Sequence, residues 1–182
     1  ITVSLKKGDV TKHTASEVDW TVDLIDTGLE TQTGGRVKRL GPWLGGQPFM
    51  LTYGDGLSNI DINALLDFHK AHGKLATMTA VRPPARFGGL EFREDGSIVF
   101  TEKPQIGEGW INGGFMVLEP AVLDRIEGDE TNFERDVLES LSEDGELMAY
   151  KHEDFWQCID TMRDLRLVRA MWDSNERPWL TA

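Results

Sequence analysis

Asp55 stands between two glycines in Tyr53-Gly54-Asp55-Gly56, directly after the apolar run Phe49–Thr52. In an open α/β sheet, ligands bind beyond the carboxyl ends of the strands, and flanking glycines let a charged ligand approach the backbone. A carboxylate there suits Mg²⁺, which takes oxygen donors and is shared with substrate phosphates. An Asp-Gly turn uses the same residues, and the motif alone leaves both readings open. In Glu102-Lys103-Pro104 a mobile point charge suited to a phosphate sits beside a carboxylate able to accept bonds from sugar hydroxyls. A solvated pair closing a strand is the plainer reading of that motif. Asn112-Gly113-Gly114-Phe115 places adjacent glycines inside an apolar strand, which marks either the close approach of a ligand or another backbone, or a β-bulge. Asp160 precedes the last helix, either as its N-cap or as a carboxylate holding a metal against phosphates at the helix end.

Other reactive side chains read more simply. Glu134 falls in Thr131-Asn132-Phe133-Glu134, a capping-box pattern, and a capping role is expected of it. The four histidines form no convincing site. His69 and His72 are three apart on a helix without a third ligand nearby, and His69 lies on the apolar stripe, as a core histidine would. Cys158 has neither a paired cysteine nor a base and is read as packing.

These groups need elements to hold them. Residues 2–5 and 20–25 read as strands, and 29–36 as a polar, glycine-rich loop entering a short helix near Arg36–Leu40. Phe49–Tyr53 is a buried strand stopped by a turn. Asp61 caps a helix carrying Ile62, Leu65, Leu66 and His69, which Gly73 ends. Leu75–Val81 is the next strand, so strand, helix and strand imply a right-handed crossover in a parallel sheet. Gly89–Phe92 and Ile98–Thr101 flank a hairpin turn. Trp110–Leu118 is a strand, Pro120 opens a short helix, and Thr131–Leu141 is an amphipathic helix. Leu147–Tyr150 is a strand, and a last helix begins near Asp160 or Thr161 with Met162, Leu165, Val168 and Trp172 on one stripe. The class is α/β with a mixed sheet.

Composition narrows the function. The chain has 182 residues, 40% of them hydrophobic, enough for a core. With 19 basic against 31 acidic residues the net charge is −12, which disfavours general nucleic-acid binding while permitting a local basic pocket. The single cysteine allows no internal disulfide and points to a reducing cytoplasm. No apolar run approaches the ~20 residues needed to cross a bilayer, so no membrane partner is expected. The opening ITVSLKKGDV reads as a strand entered midway, without a signal-peptide pattern.

In this order the pieces resemble the sugar-1-phosphate nucleotidyltransferase family, most of all its glucose-1-phosphate cytidylyltransferase branch. The resemblance is carried by VDLIDTG (22–28), TGGRVKRL (33–40), LTYGDGLSNIDI (51–62) and FHKAHGKLATMTAVRPPARFGGLEF (68–92). It continues through EKP (102–104), INGGFMVL (111–118), GELMAYKHEDFWQCIDT (145–161) and the tryptophan-bearing C-terminus. It implies a Rossmann-like mixed, mainly parallel sheet flanked by helices, with a small β-hairpin region, in one nucleotidyltransferase-type domain over 1–182.

The resemblance implies transfer of a cytidylyl group from CTP to glucose 1-phosphate, giving CDP-glucose and pyrophosphate. By it, Asp55 and Asp160 bind Mg²⁺, and Lys103 contacts the sugar phosphate with Glu102 beside it. Gly88, Asn112 and Gly113 line the sugar pocket, while Thr27 and Arg36 border the nucleotide side. A homo-oligomer is also implied. The family's N-terminal strands and glycine-rich phosphate loop have no counterpart here, so an incomplete, inactive form is expected of this chain. The rival readings are a non-catalytic sugar-phosphate-binding module and a nucleotidyltransferase using UTP, dTTP or GTP.

Overall fold

The computed structural model describes residues 2–4, 6–11, 20–83, 89–92, 97–101 and 109–180. In chain order its strands and α-helices are β1 (Thr2–Ser4), β2 (Asp9–Thr11), α1 (Thr33–Arg39), β3 (Phe49–Thr52), β4 (Gly56–Ser58), α2 (Ile62–His72), β5 (Ala76–Val81), β6 (Gly89–Phe92), β7 (Ile98–Thr101) and β8 (Ile111–Leu118). A 3₁₀ turn over Pro120–Arg125 and a π-helical turn over Phe133–Leu138 lead into α3 (Glu139–Glu143), and β9 (Leu147–His152), β10 (Trp156–Cys158) and α4 (Met162–Asp173) follow.

The central sheet runs β3-β8-β5-β9. Strand β8 is antiparallel to β3 and β5, and β5 is parallel to β9. Three strands therefore point the same way and β8 runs against them, which makes the sheet mixed. The expected crossover from β3 through α2 to β5 does join two strands of one direction, but β8 lies between them.

Alternation along β8 explains the layers. Met116 and Leu118 face a core with Ala76, Val122, Ile126, Phe133, Val137 and Leu141. Val117 and Phe115 face the other way, onto Ile60, Leu65 and Leu66 beside α2. Side chains of a strand point alternately to opposite faces, so one strand serves two cores, and helices cover the sheet on both sides. Asp61 caps α2 by accepting from the Ala64 N–H at 3.0 Å, and Gly73 ends it in the left-handed region at φ 63°. Both signals were legible. His69 is buried and bonds Thr77 Oγ1 through Nδ1 at 2.8 Å, as a core histidine should.

Three expectations require correction. Residues 20–25 form no strand: a strand exists by pairing, and among the described residues nothing pairs with them, so Trp20, Val22 and Leu24 stay exposed. The glycine-rich stretch before Arg36 is not loop, because α1 begins at Thr33 and contains Gly34 and Gly35. A Cβ on Gly34 would lie 2.7 Å from the Thr131 carbonyl oxygen, and one on Gly35 would lie 2.6 Å from Asp129 Cα. Glycine is used there for close backbone approach rather than for flexibility. Finally, Gly56, read as closing the turn after Phe49–Tyr53, opens the strand Gly56–Ser58, which is antiparallel to Trp156–Cys158.

Candidate active site

Strand β3 delivers its C-terminal end into Tyr53-Gly54-Asp55, and β4 leaves at once. The β4–β10 ladder pairs Gly56 with Cys158, and the Ile159 N–H donates to the Asp55 carbonyl at 2.9 Å. This brings Asp55 beside Asp160 across 105 residues of sequence. One ligand atom each from Asp55, Cys158 and Asp160 lies within 4.8 Å of the others, the one such group among the described residues. The two carboxylates are exposed and the thiol is half-buried.

Asp160 is not the helix cap. That role belongs to Thr161, whose Oγ1 accepts from the Asp164 N–H at 3.2 Å while Asp164 Oδ2 accepts from the Thr161 N–H at 2.9 Å. A reciprocal box one residue later leaves the Asp160 carboxylate beside the Cys158 thiol, which hydrogen-bonds to it. Burial first, then that bond and the charges of Asp55 and Asp160, push the thiol up to about 11. The cysteine therefore stays protonated at neutral pH. The donor set suits a hard divalent cation, because two carboxylates supply oxygens.

Asn112 sits near the start of β8, donating Nδ2–H to Tyr53 Oη at 3.0 Å and accepting from the Gly114 N–H at 2.8 Å. Of the alternatives left by its two glycines, the structure shows the bulge, with protein groups packed closely against both. Gly114 has φ 80° where the β5–β8 register shifts, and a Cβ there would lie 2.6 Å from the Tyr53 ring. A Cβ on Gly113 would meet the Val81 side chain at 2.7 Å, and the Gly113 carbonyl accepts from Trp156 Nε1 at 2.8 Å.

Thr27 and Arg36 are also brought together. Arg36 Nη1 donates to Thr27 Oγ1 at 2.9 Å and Nη2 to the Leu29 carbonyl at 3.0 Å. Gly88, Glu102 and Lys103 lie outside the described residues.

Glu134 is a correction. The N-cap is Asn132, whose Oδ1 accepts from the Arg135 N–H at 2.9 Å. Glu134 turns to other segments instead, accepting from Thr33 Oγ1 on Oε2 and from Tyr53 Oη on Oε1, each at 2.8 Å. Burial, followed by this hydrogen bond and the Glu134 charge, holds the Tyr53 phenol well above its ordinary range. Sequence reasoning missed Tyr53, Thr33 and Glu134 as a connected set. It also missed Cys158, although residues two apart on an extended chain share a side and Asp160 was already singled out.

The nucleotidyl transferase family profile matches residues 17–173. A glucose-1-phosphate cytidylyltransferase of Salmonella typhimurium is 46% identical over 97% of this chain and 73% of its own length. A probable glucose-1-phosphate cytidylyltransferase of Bacillus subtilis is 39% identical over 88% of this chain and 63% of its own length. The crystal structure of HddC from Yersinia pseudotuberculosis superposes with a TM-score of 0.65 at 22% identity, covering 85% of this chain and 68% of that one, a likeness of fold. The profile covers most of the chain and the Salmonella identity extends over nearly all of it, with Asp55, Asn112 and Asp160 held at the carboxyl end of the sheet: this chain belongs to the nucleotidyl transferase family.

Proposed function

We propose that this chain carries the sugar-phosphate and metal side of a glucose-1-phosphate cytidylyltransferase, which joins CTP and glucose 1-phosphate into CDP-glucose with release of pyrophosphate. The observation that carries the reading is the convergence of Asp55 and Asp160 beside the turn after β3. The reaction named by the Salmonella and Bacillus relatives fits that geometry. An oxygen of the sugar phosphate attacks the α-phosphorus of the nucleotide. The bond from that phosphorus to the bridging oxygen breaks, and pyrophosphate carries the electron pair away.

Two polyanions must meet, so positioning and charge neutralisation supply most of the rate. Asp55 and Asp160 would hold Mg²⁺, which supplies positive charge to the phosphates when bound. Lys103 holds the attacking phosphate and Glu102 the sugar, with Gly88, Asn112 and Gly113 shaping the pocket. Thr27 and Arg36 border the nucleotide. No protein nucleophile is required by this displacement.

The test is pyrophosphate release from glucose 1-phosphate with CTP, UTP, dTTP or GTP and Mg²⁺, run on this chain and on a version extended with the family's glycine-rich loop. The expected outcome is CTP-dependent release that falls at least a hundredfold in Asp55→Asn and in Asp160→Asn, roughly the cost of losing one charge-stabilising group. Near-wild-type turnover in either variant removes its metal role. Release with another triphosphate alone corrects the base. Glucose 1-phosphate binding without turnover in every form selects the binding-module reading.

A further inference from the structure

We propose that Glu134 is a positioning residue that fixes the sugar-side Asn112 through Tyr53 and ties it to the Thr33 end of α1, so that both halves of the site are held as one unit. The identity of the ligand rests on the functional reading above. The relay itself rests on geometry.

Glu134 Oε1 accepts from Tyr53 Oη at 2.8 Å, and Tyr53 Oη accepts from Asn112 Nδ2 at 3.0 Å. A carboxylate only accepts, so the single phenol proton goes to Glu134 and Tyr53 takes the Asn112 N–H on a lone pair. Asn112 Oδ1 in turn accepts from the Gly114 N–H at 2.8 Å. Its amide is therefore set at both ends, with nitrogen toward the tyrosine and oxygen toward the backbone. One Nδ2 hydrogen and one oxygen lone pair remain, which is the donor–acceptor pair a sugar hydroxyl takes.

The second arm runs to α1. Thr33 Oγ1 donates to Glu134 Oε2 at 2.8 Å and accepts from the Phe133 N–H at 2.9 Å. Thr33 opens the helix that carries Arg36, and Arg36 holds Thr27 at 2.9 Å. From a π-helical turn over Phe133–Leu138, Glu134 thus ties together three segments far apart in sequence, at Thr33, at Tyr53 and, through Tyr53, at Asn112. Such turns are rare and gather at functional sites, and the wider turn carries a side chain away from ordinary α-helical spacing. Contact of the Tyr53 ring with Gly114 leaves the tyrosine little freedom to find another partner.

The experiment measures glucose 1-phosphate binding by calorimetry on the full chain for wild type, Glu134→Gln, Tyr53→Phe and the double variant. Melting temperature and hydrogen exchange of the Gly114 amide are recorded alongside. Each single variant is expected to weaken binding roughly tenfold, the scale of one hydrogen bond to a charged group. The double variant is expected to lose no more than either single, because both break one relay. Exchange at Gly114 is expected to quicken in all three.

Wild-type affinity in Glu134→Gln, or single losses that multiply in the double variant, would overturn the proposal. Tyr53→Phe removes one oxygen and keeps the cycle informative should Glu134→Gln fold poorly: unchanged affinity and unchanged Gly114 exchange in Tyr53→Phe would overturn it too. If wild type does not bind glucose 1-phosphate, the functional reading fails separately. The relay is then decided by exchange alone, and an unchanged Gly114 rate in Glu134→Gln sinks it.

Discussion

Cys158 gives the residue scale its sharpest test, because it is the only cysteine and lies against two carboxylates. Its thiol is pushed up to about 11 from 9.0, chiefly by burial and then by Asp160 and Asp55. A raised thiol value means the fold favours the neutral form. That preference is fully present below pH 9.0 and is lost as pH climbs through about 11. At pH 8 the thiolate fraction should be about a hundredfold below that of the unfolded chain, since each unit is tenfold. Alkylation by iodoacetamide should be correspondingly slow in the native chain and fast in urea. Equal rates in the two states would show that the sulfur is neither shielded from water nor faced by the carboxylates. Much at this scale was legible before folding: Asp55 and Asp160 were singled out from local motifs, and Asn112 from its glycines. Glu134 was misread because a capping pattern is local, whereas its hydroxyl partners lie 101 and 81 residues away. Asp160 and Thr161 are both competent caps, and only the reciprocal bond with Asp164 chooses between them.

Helix α1 is where two element-scale effects oppose each other measurably. Replacing a helical glycine by alanine ordinarily stabilises by up to about 1 kcal/mol through backbone entropy. At Gly35 the added Cβ would sit 2.6 Å from Asp129 Cα and 2.8 Å from the Asp129 carbonyl oxygen, neither of which can swing aside. Overpacking against fixed atoms costs roughly 1–3 kcal/mol, so the clash should win. Gly35→Ala is therefore expected to lower the melting temperature by a few degrees, on the scale of 2–4 °C per kcal/mol for a domain of this size. An unchanged or raised midpoint would mean α1 is not docked on the Asp129–Thr131 turn. The same helix shows why composition misled: two glycines in a polar stretch suggest a loop until the neighbouring backbone is known. Strands fared according to their partners. The Ala76–Val81 strand was found from its apolar run, since both faces are buried. Residues 20–25 carry an equally good alternating pattern and pair with nothing among the described residues. A pattern states what a segment is able to do, and a ladder needs a second strand.

At the scale of the whole molecule, the last helix is only partly covered by the described residues. Helix α4 places Met162, Leu165, Val168 and Trp172 along one stripe at helical spacing; among the described residues Leu165 and Val168 are half-buried, while Met162 and Trp172 stay exposed. An amphipathic helix owes most of its stability to covering such a stripe, and isolated helices of this length are marginal in water. Trp20, Val22 and Leu24 add a second exposed apolar run on the extended segment before α1. The net charge of −12 opposes association at low ionic strength, but screening within about 8 Å at physiological salt removes most of that opposition. Apolar burial should then prevail, and the chain is expected to self-associate through α4. Light scattering after size exclusion at 0.15 M salt should give a mass that is a multiple of 20.4 kDa. Met162 and Trp172 are exposed, so Met162→Glu with Trp172→Glu should leave the fold intact and move the mass toward the single chain. A wild-type mass of 20.4 kDa at tens of micromolar would show that the stripe is left to water, and the multimer implied by the family resemblance would fail with it.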